Sequence, residues 1–556
     1  CRRDSGVHGI ATLVEHLQAR VGFQWIGRAD HVPGAAHLRV ARLRLCEHAY
    51  SEGTAQDGEL HTRIITTGVL CSSSDWSKMI RSVKRKIVFF FPSFASSEAT
   101  APLGLLAIST PLLRAGYEIK IVDSTITPDF KRRVVEEMHD ALCLGVSLVT
   151  GPMIRETVDI AREVKRLYPD KPVILGGWHP SLLPDQTLAA EYVDMVCVGQ
   201  GEDAMLELVQ HIEARQVPRG VLGTGYKENG GIVFNPRREL RPIAELPPKA
   251  YELADFDAYE RICGRRWAMY TSSLACPYNC GYCTNDGVYG RKWNALEAEQ
   301  AAAEMCDLAK RYRLQLLWVV DDNLLVDRNR ALEIAEGICS RGVKFEWSIQ
   351  ASTNLVTRLS VEEWKLMRRA GLTQVAQGAD SGSPKVMHLM NKDFQKLDTI
   401  YDAADRLSQA GVRPSFNLIF GYPGEGRAER RESVQLVMGV CRRYPGAEFW
   451  TNIFTPYPGA PVFQRAFELG IDVPKRMEEW ADFFPKYTVL PWLRASVKHS
   501  TCLSIRALRF RSVECRFALQ GASFAIPRDQ NPHHEPAERR NGAIQDNRVM
   551  TVMVVH

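Results

Sequence analysis

Cys276, Cys280 and Cys283 stand in the run Cys276-Pro277-Tyr278-Asn279-Cys280-Gly281-Tyr282-Cys283, a C-x3-C-x2-C spacing. Three thiolates on one short loop can hold three irons of a [4Fe-4S] cluster and leave the fourth without a protein ligand. An electron-transfer ferredoxin fills all four positions with cysteine. An open iron instead lets a small molecule chelate it and receive an electron directly. Pro277 and Gly281 favour a tight loop over a helix. The rival is a zinc site, which takes four ligands and typically two C-x2-C pairs; one such pair is present and no second follows. Of the 14 cysteines, Cys143, Cys197, Cys306, Cys339 and Cys441 sit in apolar or helical contexts and read as small buried hydrophobes.

Such a loop needs a scaffold, and residues 262–460 supply one by repeating strand then helix six times. The strands read as 268–273, 314–320, 345–351, 373–379, 414–420 and 448–454, with helices near 294–312, 328–341, 360–370, 395–410 and 427–442. Six β/α units make a partial barrel of the TIM type, with function expected at the strand C-termini. Polar residues and glycines fall there: Asp321 and Asp322 after the second strand, Ser348 and Gln350 on the third, Asp380 after the fourth, Gly421 after the fifth, Asn452 and Phe454 on the sixth. Asp321-Asp322-Asn323 also reads as a turn and helix cap before Asp327, and Gly421 through Gly424 as only a turn.

Residues 84–215 alternate short apolar strands with amphipathic stretches, which implies a parallel, doubly wound, Rossmann-like α/β sheet. Ligands in such folds bind beyond the carboxyl ends of the strands. Those ends carry Leu103 and Gly104, Ser147 to Thr150, Gly176-Gly177-Trp178-His179-Pro180, and Gly199-Gln200-Gly201-Glu202. Glycines there let backbone approach a flat or phosphate-bearing ligand closely; equally, any one of them could merely make a turn. The dinucleotide fingerprint G-x-G-x-x-G is absent after the first strand, which disfavours a nicotinamide site. His179 alone is a weak signal.

The chain has 556 residues, 45% apolar and 24% charged, with a net charge of +5. That length suggests two to four domains. No run of about 18 uncharged apolar residues marks a transmembrane helix, no signal-peptide pattern opens the chain, and a cytoplasmic address is the default. Residues 1–83 read as a leader that is non-native or disordered, 216–261 as a linker, and 461–493 as a C-terminal cover segment in which Trp480, Phe483, Phe484 and Trp492 are either lid or ordinary core. Residues 494–556 lose periodicity and carry a net +5 by themselves; they read as a basic disordered extension or an out-of-frame end. Residues 79–493 are nearly neutral, so charge gives no case for nucleic acid.

The C-x3-C-x2-C motif with Tyr282 before its last cysteine resembles the signature of the radical S-adenosylmethionine (SAM) superfamily. The preceding domain resembles the cobalamin (B12)-binding domain of one large branch, which includes the anaerobic magnesium-protoporphyrin ester cyclases. Gly176-Gly177-Trp178-His179-Pro180, Gly199-Gln200-Gly201-Glu202, Gly378-Ala379-Asp380-Ser381-Gly382-Ser383, Phe420-Gly421-Tyr422-Pro423-Gly424-Glu425 and Thr455-Pro456-Tyr457-Pro458-Gly459 read like that branch, over about residues 84–493. The resemblance implies a [4Fe-4S] cluster on Cys276, Cys280 and Cys283, with SAM chelating its open iron. It implies methionine-amine contacts near Asp321 and Asp322, a cofactor contact at Tyr282, ribose near Ser348, Gln350 and Asp380, and adenine near Gly421, Asn452 and Phe454. Cobalamin would lie against Leu103, Gly104, Ser147, Thr150, Gly176, Gly177, His179, Gly199, Gly201 and Glu202. Asp380 departs from the family's usual Glu, and its shorter reach would weaken cofactor binding. The D-x-H-x-x-G pattern that supplies a histidine to cobalt elsewhere is absent, so no such ligand is expected.

In this branch the reduced cluster cleaves SAM, and the resulting 5′-deoxyadenosyl radical abstracts an unactivated hydrogen. A methyl group on cobalt is then transferred. The resemblance thus implies a methyltransferase on a carbon or phosphorus centre of a secondary metabolite or lipid, served by an electron donor such as flavodoxin or ferredoxin. A radical cyclase or oxidoreductase of the same branch is the alternative, and a non-catalytic cobalamin- or cluster-binding regulator a third.

Overall fold

The computed structural model describes residues 85–94, 99–484 and 488–493, together with the strand Arg516–Leu519. The expectations for residues 1–83, and for 494–556 apart from that strand, fall on residues outside the described ones.

The first sheet is built on β1 (Lys86–Phe91), flanked by β2 (Glu118–Asp123) and β3 (Ala141–Ser147), then β4 (Val173–Gly176) and β5 (Met195–Cys197), all parallel. Ile87, Val88, Phe89 and Phe90 are all wholly buried. Val88 and Phe90 enter one apolar cluster, Ile87 and Phe89 another. Alternate side chains thus serve opposite faces of a strand covered on both sides, which is why the run is apolar without a break. Helices α1 (Leu103–Arg114), α2 (Phe130–Met138) and α3 (Met153–Leu167) make crossovers between the first four strands, and α4 (Glu202–Glu213) follows β5. Helix α2 was not among the sequence expectations.

The sheet also runs on into the segment read as a linker. Strands β6 (Thr224–Glu228) and β7 (Gly231–Phe234) join it antiparallel as a hairpin. Asn229 and Gly230, both at positive φ, make the turn.

The second sheet begins at β8 (Trp267–Tyr270) and continues through β9 (Leu316–Val319), β10 (Glu346–Ser352), β11 (Leu372–Asp380), β12 (Arg413–Phe420) and β13 (Glu448–Ile453) in that spatial order, all parallel. Arg516–Leu519 adds a parallel edge strand beside β13, so part of the stretch after residue 493 lies in this sheet. Helices α5 (Ala298–Arg311), α6 (Arg328–Arg341), α7 (Val361–Arg369), α8 (Leu397–Gln409) and α9 (Arg427–Arg443) follow successive strands. Trp267, Trp347 and Trp364 are among the largest fully buried side chains. A short antiparallel pair, Ser273–Leu274 with Asn294–Ala295, brackets the cysteine loop.

Residues 477–484 return to the first domain. Glu478 pairs with Arg162 on α3 at 2.7 Å, and Asp482 pairs with Arg155. Trp480 is buried edge-on against His179, 6.0 Å between centroids, and bonds Gln186. The aromatic segment read as lid or core is packed as core on this side. Among the described residues no helix is long and apolar enough to cross a membrane.

Candidate active site

The cysteine loop starts at Ala275, which is in the left-handed region at φ 65. Four contacts fix its course. The Gly281 N–H donates to the Met390 carbonyl at 2.8 Å, and the Val462 N–H donates to the Gly281 carbonyl at 2.9 Å. Asn391 donates to the Asn279 carbonyl at 2.6 Å. The Tyr278 ring stacks on Phe394 at 4.5 Å. Gly281 has no room for a side chain: a Cβ there would stand 2.6 Å from the Tyr422 hydroxyl.

The three thiols influence one another electrostatically, and burial raises all three, Cys276 to about 11 and Cys283 to about 12. As thiols they are held neutral; a bound iron centre favours the thiolate. Among the described residues no group of three His, Cys, Asp or Glu side chains converges as a single metal ion requires. A cubane asks less convergence, because each cysteine takes its own iron. Three thiols on a clamped loop with no fourth cysteine therefore suit a cluster with one open corner.

The two aspartates after β9 have different tasks. Asp321 is wholly buried and accepts from the Ser272 N–H and Oγ, both at 2.6 Å, and from Ser273 Oγ at 2.7 Å. Burial pushes its carboxyl up, and these hydrogen bonds work against that. It ties the end of β9 to the end of β8. Asp322 faces the cavity described below, accepts from Asn285 Nδ2 at 2.9 Å, and acts electrostatically on Cys276 and Cys283. Asp322 is thus the aspartate placed beside the loop.

Ser348 and Gln350 lie on β10, Ser348 half-buried and Gln350 buried. Asp380 closes β11 with a left-handed backbone, φ 55, and is buried in an ion pair with Lys392. Burial, and after it the same carboxylate, raises the Tyr282 phenol. Gly421 is roofed: its carbonyl accepts from Trp492 Nε1 at 2.9 Å, and its N–H donates to Glu425, whose carboxyl burial raises to about 7. Asn452 is half-buried on β13, opposite Ile419. Phe454 is buried edge-to-face against Tyr422, 5.0 Å between centroids, as part of an apolar core.

A cavity of about 590 Å³ joins the strand ends of the two sheets. From the first domain Leu103, Gly104, Ser147, Gly176, Gly177, Gly199, Gly201 and Glu202 line it. From the barrel side Tyr270, Tyr289, Glu304 and Asp322 do so. Gly177 has φ 93 and ψ −163, open only to glycine, and a Cβ would stand 2.6 Å from the Leu148 carbonyl. A Cβ on Gly199 would meet nothing within 4 Å, which leaves that backbone bare to a ligand. The bare glycine cradle and the shared chamber suit a large flat cofactor.

Thr150 and His179 are not part of these walls. Thr150 Oγ1 and His179 Nδ1 bond each other at 3.0 Å, and the imidazole is wholly buried. Burial alone drives His179 down to about 3, and its Nε2 has no hydrogen-bond partner. Two wall residues were missing from the sequence expectations. Lys249, lowered by burial, lies in the electrostatic field of Glu202, Glu304 and Asp321. Glu304 accepts from Tyr270 at 2.8 Å and from Gln300 at 3.0 Å.

Fold and site together define a two-domain cofactor-handling protein, and comparison with known proteins narrows it. Residues 96–209 match the B12 binding domain, and residues 270–437 match the radical SAM superfamily. The chain belongs to the radical SAM superfamily, in the branch that carries a B12-binding domain ahead of the barrel.

An uncharacterized methyltransferase of Pyrococcus horikoshii is 26% identical over 370 residues, 66% of this chain and 78% of that one. The hopanoid C-3 methylase of Methylococcus capsulatus is 23% identical over 368 residues, 64% of this chain and 67% of that one. Among solved structures, the radical SAM methyltransferase TsrM from Kitasatospora setae, with cobalamin and [4Fe-4S] cluster bound, has the same fold. Its TM-score is 0.59 at 18% identity, over 70% of this chain and 80% of that one.

Proposed function

We propose that this chain is a cobalamin-dependent radical SAM methyltransferase acting on an unactivated carbon or phosphorus centre of a small molecule or lipid. The observation that carries the reading is the single cavity: the glycine cradle of the first sheet and Asp322 beside the cysteine loop open into the same space. When bound, the cluster supplies the electron that cleaves SAM, and cobalamin supplies the methyl group. A one-electron donor such as flavodoxin or ferredoxin would reduce the cluster.

The chain's own residues then position and shield. Cys276, Cys280 and Cys283 hold the iron, and Asp322 offers a carboxylate to the cationic methionine amine. Ser348 and Gln350 offer hydrogen bonds to ribose hydroxyls. Tyr270, Tyr289 and Trp178 wall the chamber with aromatic surface, which keeps water from a reactive centre. Lys249 and Glu304 bring the charge that would orient a polar group of the substrate.

The test is anaerobic incubation of reconstituted protein with methyl-labelled SAM, a reductant, and small-molecule and lipid extracts of the source cells. Label in an extract component, lost in the Cys280→Ala variant, is the expected result. SAM cleavage with no label in any component would count against methyl transfer and favour cyclisation or oxidation.

A further inference from the structure

Lys392 is 3% and Asp380 2% exposed, and the two form an ion pair. Lys392 Nζ also donates to the Gly378 carbonyl at 3.1 Å. The pair lies close over Gly378: a Cβ there would stand 3.1 Å from the carboxylate and 3.2 Å from the ammonium. Lys392 ends the turn whose Met390 and Asn391 grip the cysteine loop on either side of Cys280. A fixed cation and its anion are thus built in at the base of the loop, out of water.

We propose that the Lys392–Asp380 pair is a positioning element that sets the reduction potential of the cluster carried by Cys276, Cys280 and Cys283. The proposal rests on the reading that these cysteines hold a cluster. Reduction adds one electron, taken from an external one-electron donor, to a centre that is already anionic with its thiolates. A fixed positive charge beside it favours the reduced state, and a fixed negative charge opposes it. In a water-excluded site neither is screened, and net charge and local hydrogen bonding set such potentials. Asp380 is the counter-charge paired with the Lys392 ammonium out of water.

The experiment is an anaerobic redox titration of the cluster, followed by electron paramagnetic resonance without SAM, in wild type, Lys392→Met, Asp380→Asn and the double variant. The expected result is opposite shifts: lower potential in Lys392→Met, higher in Asp380→Asn, and a return toward wild type when both are changed. Asparagine tolerates the left-handed backbone at position 380. If Lys392→Met fails to hold a cluster, Asp380→Asn alone still reads the field. A potential in Asp380→Asn equal to or below wild type overturns the proposal, as do shifts of the same sign in both single variants. Wild-type protein that takes up no iron or sulfide on reconstitution would instead sink the cluster reading itself.

Discussion

Trp178 and Tyr289 meet edge to face where the two domains join, ring centroids 5.7 Å apart and planes at 70°. Trp178 follows the glycine pair at the end of β4, and Tyr289 lies six residues past Cys283. Both rings line the shared cavity. The cobalamin-side loop and the cysteine loop are therefore in contact through one aromatic pair.

Replacing Trp178 by Ala removes that contact, worth about 0.5–1.5 kcal/mol beyond the area it buries. The expected outcome is a lower melting temperature and less cobalamin retained per protein, with Trp178→Phe in between. Thermal melting and the visible absorbance of purified protein measure both. Retention equal to wild type in Trp178→Ala would show that the ring pair does not support the cofactor site.

The two neighbouring aspartates should separate cleanly. Asp321→Ala strips three hydrogen bonds from buried serine groups, and an unsatisfied buried group costs about 1–3 kcal/mol each time. Its main effect should appear as a lower denaturation midpoint. Asp322→Ala should leave the midpoint nearly unchanged and weaken SAM binding, read by equilibrium dialysis. The opposite assignment of effects would refute this division of labour.

Gly177→Ala places a methyl group against the Leu148 backbone in a conformation that costs an L-residue of order 1–3 kcal/mol. Both strain and displacement fall at the end of β4, so stability and cobalamin retention should drop together. Urea unfolding and a cofactor assay on the same preparation check this. Loss of one without the other would mean that the loop tolerates the side chain.

His179 makes stability depend on pH. Its folded pKa of about 3 is far below the unfolded value near 6.5, so the unfolded chain takes up the proton first as pH falls. Stability from the neutral ring is fully present above about pH 6.5 and declines by up to roughly 1.4 kcal/mol per pH unit below it, until the folded pKa is reached. Unfolding midpoints of His179→Gln between pH 7 and 5 should fall less steeply than those of wild type. The visible spectrum of its bound cobalamin should be unchanged, since the imidazole stands outside the cavity walls. A parallel pH slope in the two proteins would mean that His179 takes up its proton at the same pH in the native and unfolded states.

Local signals explain what was legible beforehand. The unbroken apolar run at 87–91 and the alternation of strand and helix through 448–453 announced two parallel sheets, because a doubly covered strand leaves no polar side to write. The cysteine loop was legible because its three cysteines fall within eight consecutive residues. The hairpin of β6 and β7 went unread although Asn229-Gly230 between two β-rich stretches is a turn signal. Lys392 and Lys249 had no such signal: each lies in a non-periodic segment and gains its setting only from tertiary packing. Asp321 was correctly placed at a strand end, but type and position do not reveal whether a carboxylate is already spoken for by serines. His179 shows the same limit, since a histidine in a glycine-rich turn looks alike whether it faces a ligand or a tryptophan.

The first domain's Leu182 fills the space left beside Gly287 and Gly459, its Cδ2 2.7 Å and 2.6 Å from where their Cβ atoms would be. Trp480 in turn sits on His179, and Leu490 and Leu493 lie over Gly421. This makes the two domains poor cassettes. A chimaera that exchanges the B12-binding half between relatives at the boundary near residue 250 would inherit a leucine cut for someone else's glycines. To work, the graft must carry its matching 287, 459 and 477–493 with it, so diversification of substrate in this lineage is expected to proceed by changes in the chamber wall rather than by swapping halves.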